Sequence, residues 1–147
     1  MKGKVLLLGI GNPSRKDDGL GPALAARFEA DCPEGVDVDA NYQLSLEDAC
    51  TLSEYEKVVI LDASAKGDGA FTFEEVEPDP AKEFSTHLIL PPSILSIARE
   101  FFQAEGLLYV LGMRGYDFES FEEGLTEVAA ANLEESEAYL RGWLTEA

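Results

Sequence analysis

The N-terminal segment 5–21 constrains the fold more than any other part of the chain. It begins with the apolar run Val-Leu-Leu-Leu and continues through Gly-Ile-Gly-Asn and a short polar loop to the pair Asp17-Asp18. An uninterrupted apolar run before a glycine turn is typical of a strand that is buried on both faces. Either aspartate could cap the helix that begins near Leu20, and Asp17 is the better candidate. A cap accounts for only one of the two carboxylates.

Strand and helix patterns alternate along the rest of the chain. The predicted strands cover residues 4–9, 36–40, 57–62, 69–77 and 107–112, and the predicted helices cover 20–30, 46–52, 93–105 and a last segment from a cap at Thr126 to about Leu144. Ser45 is the expected N-cap of the second helix, and Gly106 is expected to end the third. This alternation predicts a three-layer α/β/α sandwich with a mostly parallel, twisted sheet. Segment 69–77 alternates apolar and polar residues, so it is expected to be an antiparallel edge strand.

Composition limits the class of protein. A chain of 147 residues with 46% hydrophobic residues is expected to form one domain, 1–147, with a substantial core. The formal net charge of -18 disfavours nucleic acid and anionic membranes as partners. The short apolar run near the N-terminus is better read as a strand than as a secretory signal, so the cytoplasm is the expected location. Cys32 and Cys50 form no metal-binding motif and are expected to be structural, with a disulfide left open.

Three loops that carry chemistry-bearing residues are predicted to meet at one edge of the sheet. Asp17 and Asp18 follow the first strand, Asp62 ends the third, and His87 lies in the loop before helix 93–105. In an open α/β sheet, ligands bind beyond the carboxyl ends of the strands. Two carboxylates and one imidazole suit a borderline divalent ion such as nickel or zinc, with coordination positions left open.

The spacing around these residues resembles that of a known family, the hydrogenase maturation proteases. The matching positions are Gly9, Gly11, Asn12, Asp17, Asp18, Gly19 and Gly21 in the first loop, then Gln43-Leu44, Asp62-Ala63, Ser85-Thr86-His87-Leu88, Pro91-Pro92 and Gly124-Leu125-Thr126. The resemblance therefore extends over almost the whole chain. Proteases of this family trim the C-terminus of the large subunit of nickel–iron hydrogenase.

The resemblance implies a function and a set of site residues. The metal-contacting acid of the family falls on Asp18, where glutamate is often found, its strand-end aspartate falls on Asp62, and its histidine falls on His87. These residues would recognise the metal and are candidates for catalysis. The implied activity is an endopeptidase acting on a nickel-loaded large-subunit precursor, which itself supplies the nickel. Zinc or cadmium is expected to substitute for nickel in vitro.

Each residue also has a plainer interpretation. A strand-end aspartate such as Asp62 is about as often a turn former as a ligand, and a lone histidine such as His87 is usually a surface or core residue. With one histidine and no Gly-x-Ser-x-Gly elbow, the chain shows no constellation for a nucleophilic mechanism, so hydrolysis would use a metal that polarises the carbonyl or activates water.

Two other functions remain open from the sequence. A phosphoacceptor receiver module also carries an acidic pair and a strand-end aspartate, but the lysine expected after its last strand is replaced here by Leu-Gly-Met-Arg at 111–114. A non-catalytic metal-binding chaperone would use the same ligands as the protease.

Overall fold

The computed structural model describes residues 4–79 and 89–146 as a five-stranded sheet with helices on both faces. The strands are β1 (Val5–Ile10), β2 (Val36–Asn41), β3 (Lys57–Ser64), β4 (Phe71–Glu75) and β5 (Leu107–Arg114). The helices are α1 (Leu20–Ala30), α2 (Glu47–Leu52), α3 (Pro91–Phe102) and α4 (Glu127–Glu146), and a 3₁₀ turn, Lys16–Gly19, precedes α1. The predicted α/β fold is confirmed.

The strand order is β2-β1-β3-β5-β4. All neighbouring strands are parallel except β4, which pairs with β5 in the antiparallel sense at the edge of the sheet, as the alternating pattern predicted. The chain leaves β1 to form β2 on one side and then returns to form β3 on the other. The topological switch point therefore lies between β1 and β3, where a crevice for ligands is expected beyond the strand ends.

Two cores hold the helices against the sheet. One lies under α1 and α4 and includes Leu7, Leu20, Leu24, Phe28, Val59, Leu61, Leu111, Leu133 and Leu140. The other lies under α2 and α3 and includes Leu6, Leu8, Ala49, Leu52, Val58, Ile60, Ile94, Leu95 and Leu108. Successive residues of the central strands alternate between the two cores, which explains their uninterrupted apolar sequence. Burial of each large side chain contributes about 1.5–3 kcal/mol, so these cores place the strand ends firmly.

The structure corrects two predictions about helix starts. Neither Asp17 nor Asp18 caps α1, because the N-cap position is Gly19 and it makes no side-chain cap bond. Ser45 does not cap α2 with its hydroxyl; instead, the Asp48 carboxylate accepts a hydrogen bond from the Ser45 backbone N–H at 2.8 Å. The intervening 3₁₀ turn was not predicted, and it moves both aspartates away from the first turn of α1.

The predicted ends of the later helices agree with the structure in part. Thr126 caps α4 as predicted, and its Oγ1 accepts a hydrogen bond from the Ala129 N–H at 3.4 Å. Gly106 does not end α3: the helix ends at Phe102, and Gln103 takes the left-handed conformation with φ 53°. Cys32 and Cys50 are free and exposed, so the disulfide left open by the sequence is not formed. Within 4–79 and 89–146, no helix has the length and apolar character needed to cross a membrane.

Candidate functional site

A glycine turn after β1 places Asp18 at the switch point. Gly11 has φ 143°, and a Cβ at this position would overlap the backbone carbonyl oxygen of Asp18, so only glycine allows the 3₁₀ turn to fold back onto the strand end. The Asn12 N–H donates a hydrogen bond to Asp18 Oδ2 at 2.8 Å. This bond fixes the direction of the Asp18 carboxylate, which remains only partly buried.

A second glycine brings the start of α1 close to β3. A Cβ at Gly21 would overlap the backbone carbonyl oxygens of Leu61 and Ile10. The absence of a side chain therefore lets the first turn of α1 rest directly on the ends of β1 and β3. Because Asp18 lies immediately before this turn, it is held beside the end of β3.

Asp62 lies near that end of β3, directly after Leu61; the strand continues to Ser64 and does not end at Asp62 as predicted. It accepts a hydrogen bond from the Ala63 N–H at 2.8 Å and is half-buried. The pKa of Asp62 is raised from its ordinary value of 3.8 to about 6. Burial is the largest cause and the negative charge of Asp18 adds to it, while the hydrogen bond from the Ala63 N–H opposes both. Because the start of α1 rests on Leu61, Asp18 lies close enough to Asp62 for its negative charge to raise the pKa of Asp62.

The two carboxylates could supply part of the coordination sphere of a cation. A divalent cation bound by both would remove their mutual repulsion, and their oxygen atoms suit such an ion. No group of three or more His, Cys, Asp or Glu side chains that could hold a metal occurs in the described part of the chain. His87, the third predicted ligand, lies outside the described residues, so its place in the site stays a prediction.

Asp17 has a role that the sequence did not reveal. Its carboxylate is fully buried and accepts four hydrogen bonds, from the backbone N–H groups of Tyr116 (2.8 Å), Asp117 (3.0 Å) and Thr126 (2.8 Å) and from Thr126 Oγ1 (2.8 Å). Burial alone would raise the pKa of Asp17, but the bonds from Thr126, Tyr116 and Asp117 outweigh it, and the pKa is lowered. The only sequence signal was the doubling of aspartate where one cap would suffice.

Exposed aromatic side chains lie in the loops beyond the strand ends. Tyr42, directly after β2, is 73% exposed, and Phe121, in the loop between β5 and α4, is 82% exposed. The Arg15 guanidinium lies 5.5 Å from the centre of the Phe121 ring. The Arg114 guanidinium stacks on Tyr116 at 4.5 Å. Aromatic and guanidinium groups of this kind are common where a protein binds a peptide partner.

The chain is similar to known proteins in its fold, and its sequence alone matches none of the families or curated proteins compared. Among solved structures, the hydrogenase maturating endopeptidase HybD from E. coli superposes with a TM-score of 0.78 at 22% identity, covering 97% of this chain and 93% of its own.

Two archaeal structures agree with this result. The nickel–iron hydrogenase maturation protease HycI from Thermococcus kodakarensis KOD1 superposes with a TM-score of 0.73 at 21% identity, covering 93% of this chain and 89% of its own. The hydrogenase 2 maturation peptidase from a Thaumarchaeota archaeon gives a TM-score of 0.71 at 21% identity, covering 96% and 97%. Over nearly its whole length, the chain therefore has the fold of the hydrogenase maturation endopeptidases.

Proposed function

We propose that this protein is an endopeptidase that removes the C-terminal extension from a nickel-loaded large-subunit precursor of nickel–iron hydrogenase. The observation that carries the proposal is the pairing of Asp18 and Asp62 at the switch point of the sheet. The pair occurs on a fold shared with structures that are named as hydrogenase maturation endopeptidases.

Asp18, Asp62 and His87 are the proposed ligands for the nickel of the precursor. Two carboxylates leave most of a coordination sphere empty, and a third ligand from His87 would still leave it incomplete. Such a set binds a free ion weakly, but it gains affinity when the precursor presents an ion that already has ligands of its own. Binding, and hence cleavage, would therefore depend on successful insertion of nickel into the substrate.

The chemistry would combine the metal of the substrate with the carboxylates of this chain. A bound nickel ion would polarise the scissile carbonyl or activate water for attack. Asp18 is held by the Asn12 N–H and would orient the substrate. Asp62, whose pKa is raised to about 6 by burial before the metal arrives, would give up its proton to bind the nickel.

The surroundings of the site suit an extended peptide. Tyr42 and Phe121 are exposed in loops after β2 and β5, on opposite sides of the strands that carry the aspartates. The net charge of -18 would draw a cationic segment of the precursor toward this surface. The same charge supports the expectation that neither nucleic acid nor an anionic membrane is a partner.

The decisive experiment compares nickel-loaded and metal-free precursor as substrates. The large subunit is analysed by mass spectrometry after incubation with the wild type, Asp18→Ala, Asp62→Ala or the control Asp31→Asn, which removes an exposed carboxylate elsewhere. We expect the wild type and the control to shorten only the loaded precursor, and both alanine variants to remain folded but inactive. Equal cleavage of the two precursors would contradict metal-gated recognition, and cleavage of neither would favour the chaperone.

A further inference from the structure

We propose that Asp17 is a positioning residue for the site, an inference that rests on the proposed function for its catalytic consequence. The buried Asp17 carboxylate ties the 115–126 loop to the 3₁₀ turn that carries Asp18. Through this tie, the loop between β5 and α4 holds Asp18 in place beside Asp62. Asp17 touches neither metal nor substrate in this arrangement.

The bonds of Asp17 explain why an ionised carboxylate is needed. Oδ2 accepts hydrogen bonds from the Tyr116 and Asp117 N–H groups and from Thr126 Oγ1, and Oδ1 accepts one from the Thr126 N–H. All four partners act as donors, so both oxygens must be acceptors. An asparagine would turn an NH₂ group toward at least one N–H and leave that donor unsatisfied, at a cost of about 1–3 kcal/mol.

Backbone bonds join the same two segments beside Asp17. The Asp17 N–H donates to the Asp117 carbonyl and the Lys16 N–H donates to the Glu122 carbonyl, both at 2.9 Å. Arg15 Nη2 donates to the Phe118 carbonyl at 3.0 Å. The exposed Lys16–Glu122 ion pair at 3.3 Å adds little because water screens it. The turn and the loop therefore behave as one unit, with Asp17 as its buried centre.

This unit controls the position of Asp18 because the turn is short. The 3₁₀ turn has four residues, and the Asp18 N–H donates to the Arg15 carbonyl at 3.0 Å within it. The carboxylate of Asp17 faces the 115–126 loop, whereas that of Asp18 accepts the Asn12 N–H just after β1. A shift of Asp17 must move its neighbour and break the Asn12–Asp18 bond. The adjacent aspartates thus have separate tasks, and capping of α1 is neither of them.

The test measures the position of Asp18 independently of activity. Amide hydrogen exchange and two-dimensional NMR spectra are recorded for the full chain as wild type, Asp17→Asn, Asp48→Asn and Asp18→Ala. The exchange rate and chemical shift of the Asn12 N–H report directly on its bond to Asp18, and Asp18→Ala calibrates the complete loss of that bond. Asp48 is a buried aspartate on α2 that accepts the Ser45 N–H, so Asp48→Asn controls for the loss of a buried carboxylate away from the site.

We expect Asp17→Asn to expose the Tyr116, Asp117 and Thr126 amides and to speed exchange at Asn12 roughly tenfold, toward the Asp18→Ala value. Asp48→Asn should leave the Asn12 signal unchanged. Processing of the nickel-loaded precursor should decrease about 100-fold in Asp17→Asn and little in Asp48→Asn. An Asn12 amide that is unchanged in a folded Asp17→Asn variant would overturn the inference.

A milder pair of variants keeps the test decisive if Asp17→Asn does not fold. Thr126→Val removes one of the four bonds, and Thr126→Ser keeps the hydroxyl. We expect Thr126→Val to change the Asn12 amide in the same direction and Thr126→Ser to restore it; identical Asn12 signals in both would overturn the inference. If the wild type processes no precursor while the Asn12 signal still responds to Asp17→Asn, the proposed function fails but the positioning role stands.

Discussion

Replacement of Asp62 by asparagine should stabilise the protein at neutral and alkaline pH. Burial, opposed by the Ala63 bond and reinforced by the charge of Asp18, raises the pKa of Asp62 to about 6 against an ordinary 3.8. Between these values, the folded protein holds a proton that the unfolded chain has lost, so stability decreases as the pH rises. Ionisation of Asp62 in the folded protein therefore lowers the free energy of unfolding by about 3 kcal/mol, and this full loss is reached above about pH 7. Asparagine keeps the shape and the acceptor for the Ala63 N–H without the buried charge.

The size of this gain should depend on pH in a way that can be measured. At pH 5 the unfolded chain has largely lost the proton that folded Asp62 still holds, and about half of the cost is already present. The advantage of Asp62→Asn should therefore increase by about 1.5 kcal/mol between pH 5 and pH 8. Urea unfolding of the two proteins at several pH values gives the difference directly. Asp31→Asn, which removes an exposed carboxylate, controls for the change in net charge.

A double-mutant cycle tests the contribution of the neighbouring charge. Because Asp18 raises the pKa of Asp62, the gain from Asp62→Asn should be smaller when Asp18 is already asparagine. A gain that is absent at pH 8, or that does not change with pH, would refute the view that Asp62 carries a buried charge repelled by Asp18.

Further measurements test the core packing at Leu24, the charge of Asp17 and the binding of nickel. Leu24→Ala, at a fully buried position between α1 and the sheet, should cost about 2–5 kcal/mol in urea unfolding. The stability contributed by Asp17, whose pKa is lowered, should be present above pH 3.8 and lost as the pH falls through its folded value, so Asp17→Asn should lessen the acid sensitivity of unfolding. Titration calorimetry should find weak nickel binding that decreases toward pH 5 as His87 protonates; binding unchanged by His87→Ala would count against this ligand.

The fold was predictable because its signals are local. Uninterrupted apolar runs identified β1, β3 and β5 as buried strands, and the alternation in segment 69–77 identified the antiparallel edge strand β4. Turn glycines and strand-end carboxylates also led to the prediction that Asp18 and Asp62 lie at the same edge of the sheet. These patterns can be recognised from neighbouring residues in the sequence, before the distant segments that bury them are known.

The role of Asp17 was not predictable because its partners are distant. Tyr116 and Thr126 lie 99 and 109 residues further along the chain, and only the folded sheet brings them to the 3₁₀ turn. From its neighbours in the sequence, Asp17 was therefore predicted to cap the nearest helix, where a carboxylate ordinarily accepts hydrogen bonds from backbone N–H groups. The predicted end of α3 was also wrong. Gln103 ends the helix in a left-handed conformation that its residue type does not favour, so the sequence pointed to Gly106 instead.

The three aspartates of the site divide stability and function between them. Asp17 is buried with four donors, so its charge stabilises the loop and turn that frame the site. Asp62 is half-buried with one donor and a like charge nearby, so its ionised form destabilises the folded protein. A cation shared by Asp18 and Asp62 would relieve this repulsion, and the relief would add to the binding energy of the ion. On the proposed function, the charged pair would lower the stability of the free protein and strengthen its binding to the metal ion of the precursor.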